Sequence, residues 1–139
     1  MRPGRLPNCR SALAWLLVAL SCCTNVQADD EQGKRQYLKI CSACHQPDGK
    51  GIPDAFPALA GNAFVQGDAK AVASVPLLGR GGMPNFSKRL DDATLAAILS
   101  YVRNAWGNSA PEITANQVAA LRAELHVDVV DSMPPGSQH

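Results

Sequence analysis

The run Cys41-Ser42-Ala43-Cys44-His45 decides what this chain folds around. Two thiols separated by two residues, with a histidine directly after the second, form the haem c attachment signature. The spacing has a mechanical reason. Each thiol must reach a vinyl group on one of two neighbouring pyrroles of a porphyrin, and the turn between them places the next residue under the ring centre. His45 can then offer an imidazole nitrogen to the iron as the proximal ligand. The two cysteines alone would fit a redox dithiol or half of a zinc site. The histidine in register selects haem.

Upstream of this run, the first 28 residues read as a signal peptide. Arg2, Arg5 and Arg10 form a basic front, Ser11 to Leu20 is apolar, and Val26-Gln27-Ala28 places compact residues where a signal peptidase cuts, before Asp29. The apolar run falls short of the ~20 residues that cross a bilayer. Lipidation at Cys22 or Cys23 is the alternative, although the residues before each cysteine match a lipoprotein box poorly. Cleavage removes Cys9, Cys22 and Cys23 and leaves Cys41 and Cys44. Of the 13 Lys/Arg and 12 Asp/Glu in the 139-residue chain, the three arginines leave with the signal, so the remainder carries a formal charge of −2. That balance offers no basic field for nucleic acid, and no other apolar stretch is long enough to enter a membrane.

Downstream, the pattern is helical throughout. Asp30-Glu31 predict a helix start that runs through Ile40. Gln46 to Asn62 is rich in Gly, Pro and Asp and reads as an irregular loop. Asp68 caps a short helix through about Ser74, with Val72 and Val75 inward, before Pro76 ends or kinks it. Asp91 caps the clearest helix, in which Leu95, Ile98, Leu99 and Val102 share one face and Gly107-Asn108 supply the stop. Thr114 to Gln117 form a capping box ahead of Val118, Leu121 and Leu125. The expected organisation is an all-α domain over residues 29–108, a helical extension over 109–126 and a disordered tail over 127–139. Aromatic residues make up 5% of the chain, a thin core for this size. A porphyrin would supply the missing apolar plate.

The iron needs a sixth ligand, for which Met83, Met133, His126 and His139 are available, or the site stays open. Met83 sits in Gly81-Gly82-Met83-Pro84, a loop whose glycines and proline let it lie close to a ring face. A thioether favours ferrous iron, which suits electron carriage. Met133 lies beyond the last helix, and the two histidines are expected to face solvent.

Cys41 to His45, Pro57-Ala58-Leu59, Gly82-Met83-Pro84, and Gly33/Tyr37 with Ile98/Tyr101 together resemble bacterial class I cytochromes c, over residues from about 32 to 108. They resemble in particular small periplasmic cytochromes and the cytochrome subunits that take electrons from periplasmic dehydrogenases. The resemblance implies helices packed around one covalent haem c, held by Cys41 and Cys44, with His45 and Met83 as axial ligands. It implies that the Pro57 carbonyl fixes the second nitrogen of His45, that Leu59 lines the pocket, and that Gly33/Tyr37 cross Ile98/Tyr101. Phe56, Phe64, Phe86 and Trp106 fall to the pocket or the core. Pro76 departs from the family pattern, where a helix usually continues.

The functional expectation is a periplasmic one-electron carrier between a redox donor and acceptor, such as a dehydrogenase and a terminal oxidase, and not an enzyme. A haem enzyme or gas sensor would need a displaceable distal ligand with polar groups near it. A thiol–disulfide enzyme would need a βαβ pattern that is absent. A subunit of a dehydrogenase or oxidase complex remains the other form of the carrier reading. Lys50, Lys70, Arg80, Lys88 and Arg89 either ring a haem edge or are ordinary solvated charges.

Overall fold

The computed structural model describes residues 24–127, with side chains from Asp30 onward. Six helices follow in order: α1 (Thr24–Ile40), α2 (Ser42–His45), α3 (Ala63–Gln66), α4 (Ala69–Leu78), α5 (Asp92–Asn104) and α6 (Ala115–Leu125). Among the described residues there are no strands, only two isolated bridges, Ile52 to Phe56 and Arg80 to Met83. No described helix is long and apolar enough to cross a membrane. The all-α expectation holds.

Helix α1 starts six residues earlier than Asp30, at Thr24. No glycine or proline interrupts Thr24 to Asp30, so the helix propagates back and Asp30 and Glu31 lie within it rather than at its start. It therefore runs through the expected cleavage point after Ala28; residues 1–23 of the expected signal peptide lie outside the described residues.

The centre of the fold is the crossing of α1 on α5. Gly33 makes it possible: a Cβ there would overlap the Ala97 carbonyl and lie 2.9 Å from Tyr101 Cβ. One turn on, the Tyr37 ring is fully buried against Tyr101 at 5.6 Å and Trp106 at 5.0 Å between centroids. Asp91 caps α5 by accepting the Thr94 N–H at 2.7 Å, and Leu95, Ile98, Leu99 and Val102 are buried as their spacing predicts.

Two helix ends differ from the sequence reading. Helix α5 stops at Asn104, short of Gly107-Asn108. Ala105 turns extended and Trp106 takes a φ of 54°, because stacking the indole on Tyr37 and Tyr101 outweighs another helical turn. Pro76 neither ends nor breaks α4, which continues to Leu78. It lies in the last turn, so its missing N–H forfeits a single helical bond. Its buried ring packs inward and its carbonyl accepts the Phe86 N–H at 2.7 Å. Val72 is buried, whereas Val75 is half-buried.

Helix α6 begins with the expected capping box and lays Val118 and Leu121 on the core, with Leu125 half-buried beside them. It is stitched to α5 through Ser100 Oγ, which donates to the Ile113 carbonyl at 3.1 Å and accepts the Ile113 N–H at 2.9 Å. Val127, the first residue of the expected tail, is still half-buried against the core. Residues 128–139, including Met133 and His139, lie outside the described residues.

Candidate haem site

Cys41 and His45 occupy one tight turn that continues α1. The Cys41 N–H bonds back to the Tyr37 carbonyl at 2.8 Å, and the His45 N–H reaches the Cys41 carbonyl at 3.0 Å. Both cysteines are free thiols and half-buried, and His45 is buried. Burial, then the neighbouring Cys44, pushes the Cys41 thiol up to about 11. Redox dithiols need the opposite shift, towards an exposed thiolate, and a buried Cys41 runs against that.

The ring of His45 is fixed from its Nδ1 side, which lies 3.0 Å from the Pro57 carbonyl oxygen. That contact sets the tautomer: Nδ1 carries the proton it donates, leaving Nε2 the lone pair with which an imidazole ligates a metal. The loop that brings Pro57 there is tightly folded. Leu59 N–H and Ala60 N–H both donate to the Gly49 carbonyl, at 2.7 and 3.0 Å, and Gly51 N–H donates to the His45 carbonyl at 3.0 Å. Gly49 must be glycine here, with φ 68° and the Trp106 ring where a Cβ would sit.

Met83 reaches the same apolar core from the other side of the chain. Its loop is closed by paired bonds with Arg80, N–H to carbonyl at 3.0 and 3.1 Å. Cys41, Leu59 and Met83 all pack, half-buried, against one core cluster. Ile52, Phe56 and Phe64, by contrast, are over a third exposed. Phe56 and Phe64 are thus not core residues, whereas Phe86 is buried and Trp106 half-buried. Among the described residues no three His, Cys, Asp or Glu side chains gather around one point. Two thiols, an imidazole held by its far nitrogen, a thioether and uncovered apolar side chains suit a planar apolar cofactor better than a caged ion. The residues present fit a haem. An open cleft of about 460 Å³ lies along this loop, lined by Lys50, Ile52, Phe56 and Pro57 among others.

Lys50, Lys70, Arg80, Lys88 and Arg89, which could ring a haem edge or be ordinary solvated charges, are all exposed. Lys50 pairs with Asp48, Lys70 with Glu124 on α6, and Arg80 and Arg89 stack over Phe64 and Phe86. His126 is exposed at the end of α6.

Three residues hold the site together in ways the sequence did not show: Asn108 was expected only as part of a helix stop, and Arg103 and Arg122 were given no task. The Asn108 side chain donates to the Leu59 and Val102 carbonyls at 3.0 and 2.8 Å and accepts the Gly61 N–H at 2.9 Å, tying the loop to the end of α5. Buried Arg103 gathers the carbonyls of Val65, Gly67 and Pro111. Buried Arg122 on α6 binds the segment that follows Met83. The only sequence signal was that Arg103 and Arg122 fall in register with apolar helix faces.

Residues 28–102 match the family model described as cytochrome c oxidase, cbb3-type, subunit III. Cytochrome c-552 of Thermus thermophilus is 33% identical over 136 residues, covering 83% of this chain and 87% of that protein. The cytochrome c subunit of the quinone alcohol dehydrogenase of Gluconacetobacter polyoxogenes is 35% identical over 104 residues, 65% of this chain but 22% of the relative. The cbb3-type oxidase subunit CcoP of Azospirillum brasilense is 38% identical over 84 residues, 55% of this chain and 28% of the relative. The chain thus spans about a fifth of the alcohol dehydrogenase subunits it matches. It belongs to this cytochrome c family: a class I c-type cytochrome, all-α, with covalently bound haem c and a role in electron transfer.

Proposed function

We propose that this chain is a monohaem carrier of single electrons, with Cys41 and Cys44 as the thioether anchors and His45 and Met83 as the axial ligands. When bound, the haem supplies the one-electron Fe(III)/Fe(II) couple. The chain's own residues orient it. Pro57 holds the His45 ring by its Nδ1 proton; with haem bound, Leu59 would line the pocket and the Met83 sulfur would be the second protein ligand to the iron. Among the described residues the thiols and the imidazole are taken up by haem attachment and ligation in this reading, which favours a carrier over an enzyme. The single observation that supports this most is the 3.0 Å contact of His45 Nδ1 with the Pro57 carbonyl, a ring oriented for ligation through its other nitrogen.

The chain works in the periplasm after cleavage behind Ala28, a reading supported by its basic front and short apolar run. Its donor and acceptor are redox proteins, a dehydrogenase on one side and a terminal oxidase on the other. The match to cytochrome c subunits of dehydrogenases supports a domain that works inside or beside such a complex.

The test is the sixth ligand. Ferric wild type should be low-spin, show the weak near-infrared band of methionine ligation and, when reduced, bind no carbon monoxide. Met83→Ala should lose the band, lower the potential and admit carbon monoxide, while Met133→Ala leaves all three unchanged. A high-spin wild type that binds carbon monoxide readily would support a haem enzyme or gas sensor instead.

A further inference from the structure

We propose that Arg122 is a positioning residue for Met83: the C-terminal helix α6, through this one guanidinium, sets how firmly the methionine loop is held. The proposal rests on Met83 being the sixth ligand. Arg122 lies outside the family match, which ends at residue 102.

Arg122 is 2% exposed. A buried cation is costly unless charge and hydrogen bonds are both met, and here every bond is spent on one segment. Nε donates to Asp92 Oδ1 at 2.5 Å, Nη1 to the Ser87 carbonyl at 2.6 Å, and Nη2 to the Leu90 carbonyl. Ser87 and Leu90 belong to the turn that leaves Met83. Arg89 and Leu90 N–H close that turn on the Phe86 carbonyl at 2.9 and 3.0 Å, while Phe86 N–H is anchored on the Pro76 carbonyl of α4. Phe86, Ser87 and Leu90 are all buried. Only Pro84 and Asn85 separate the turn from Met83, and proline's fixed φ makes that link stiff. A shift of the turn is therefore passed to the sulfur. A planar fork meets a carboxylate and two carbonyls from three separated nitrogens, whereas a lysine ammonium offers its three donors from a single point.

Arg122→Lys keeps the charge and the long stem, so the helix stays docked while the fork is lost. Val118→Ala, at a fully buried position on the same helix, weakens docking and leaves the Arg122 hydrogen bonds in place. Both holoproteins and wild type are titrated with imidazole in the ferric state, followed by the near-infrared band, and unfolded with denaturant. Arg122→Lys should bind imidazole about tenfold more tightly, the size of one charged hydrogen bond lost. Val118→Ala should lower the denaturant midpoint and leave the imidazole affinity at the wild-type value. Unchanged affinity in Arg122→Lys overturns the positioning role. So does an equal gain in Val118→Ala, which would trace the effect to stability alone. A wild type without the band overturns the Met83 assignment, and the proposal with it.

Discussion

The hydroxyl of Tyr37 donates to the carbonyl of Gln46 at 2.6 Å, while the Tyr37 carbonyl accepts the Cys41 N–H. One residue thus brackets the whole haem-attachment turn, its backbone at the entrance and its side chain at the exit. The exit is strained: Gln46 has φ 64° and ψ 154°, a region that suits glycine. Burial first, then the nearby Cys41, Tyr101 and Asp48, raises the Tyr37 pKa above its ordinary value, so the phenol keeps the proton it donates.

Tyr37→Phe keeps the ring stack and deletes the bond. It should cost about 1 kcal/mol in denaturant unfolding of the holoprotein. Gln46→Gly should stabilise by about 1 kcal/mol, since relief of strain exceeds the entropy cost of a glycine. A destabilising Gln46→Gly would mean that the turn is not strained.

Attachment is tested by extraction. If Cys41 and Cys44 carry thioethers, haem colour stays with the chain through acid–acetone and denaturing electrophoresis, and the periplasmic protein has the mass of residues 29–139 plus one haem. Cys41→Ala with Cys44→Ala should release the colour and leave a loosely packed chain. A lipid on Cys22 or Cys23 would show in the same mass spectrum.

At Gly33 two effects oppose each other. Alanine favours an isolated helix by up to about 1 kcal/mol, but its methyl would overlap the Ala97 carbonyl. Backbone of a packed helix does not yield as a side chain does, so overlap wins. Gly33→Ala should destabilise by about 1–3 kcal/mol, read from thermal or denaturant midpoints. A stabilised variant would refute the close crossing.

Asp91 makes a pH-dependent contribution with a definite sign. The Thr94 backbone N–H, more than burial opposes it, holds its carboxyl below the ordinary value. The folded form therefore favours the carboxylate, and the stability it adds is complete above about pH 4 and lost as pH falls through the lowered folded value. Asp91→Ala should cost about 1 kcal/mol at neutral pH. The gap to wild type should narrow in unfolding curves taken below pH 4. A constant gap would show that the charge plays no part in the cap.

What the sequence determined by itself was local. The attachment turn, the caps at Asp68, Asp91 and Thr114, and the apolar face from Leu95 to Val102 each fit within a turn or two of helix, where spacing alone fixes which groups meet. The crossing at Gly33 was legible for the same reason, because a small residue among larger ones marks where another backbone passes. Tertiary structure decided the rest. Pro76 stays helical because it lies in the last turn of α4, where its carbonyl accepts the Phe86 N–H from across the fold; Trp106 leaves α5 because two tyrosines lie across the fold. Arg103, Arg122 and Asn108 satisfy carbonyls far away in the chain, such as Val65, Ser87 and Leu59. A buried polar side chain must find partners wherever the backbone leaves them unpaired, and those positions exist only once the helices have packed.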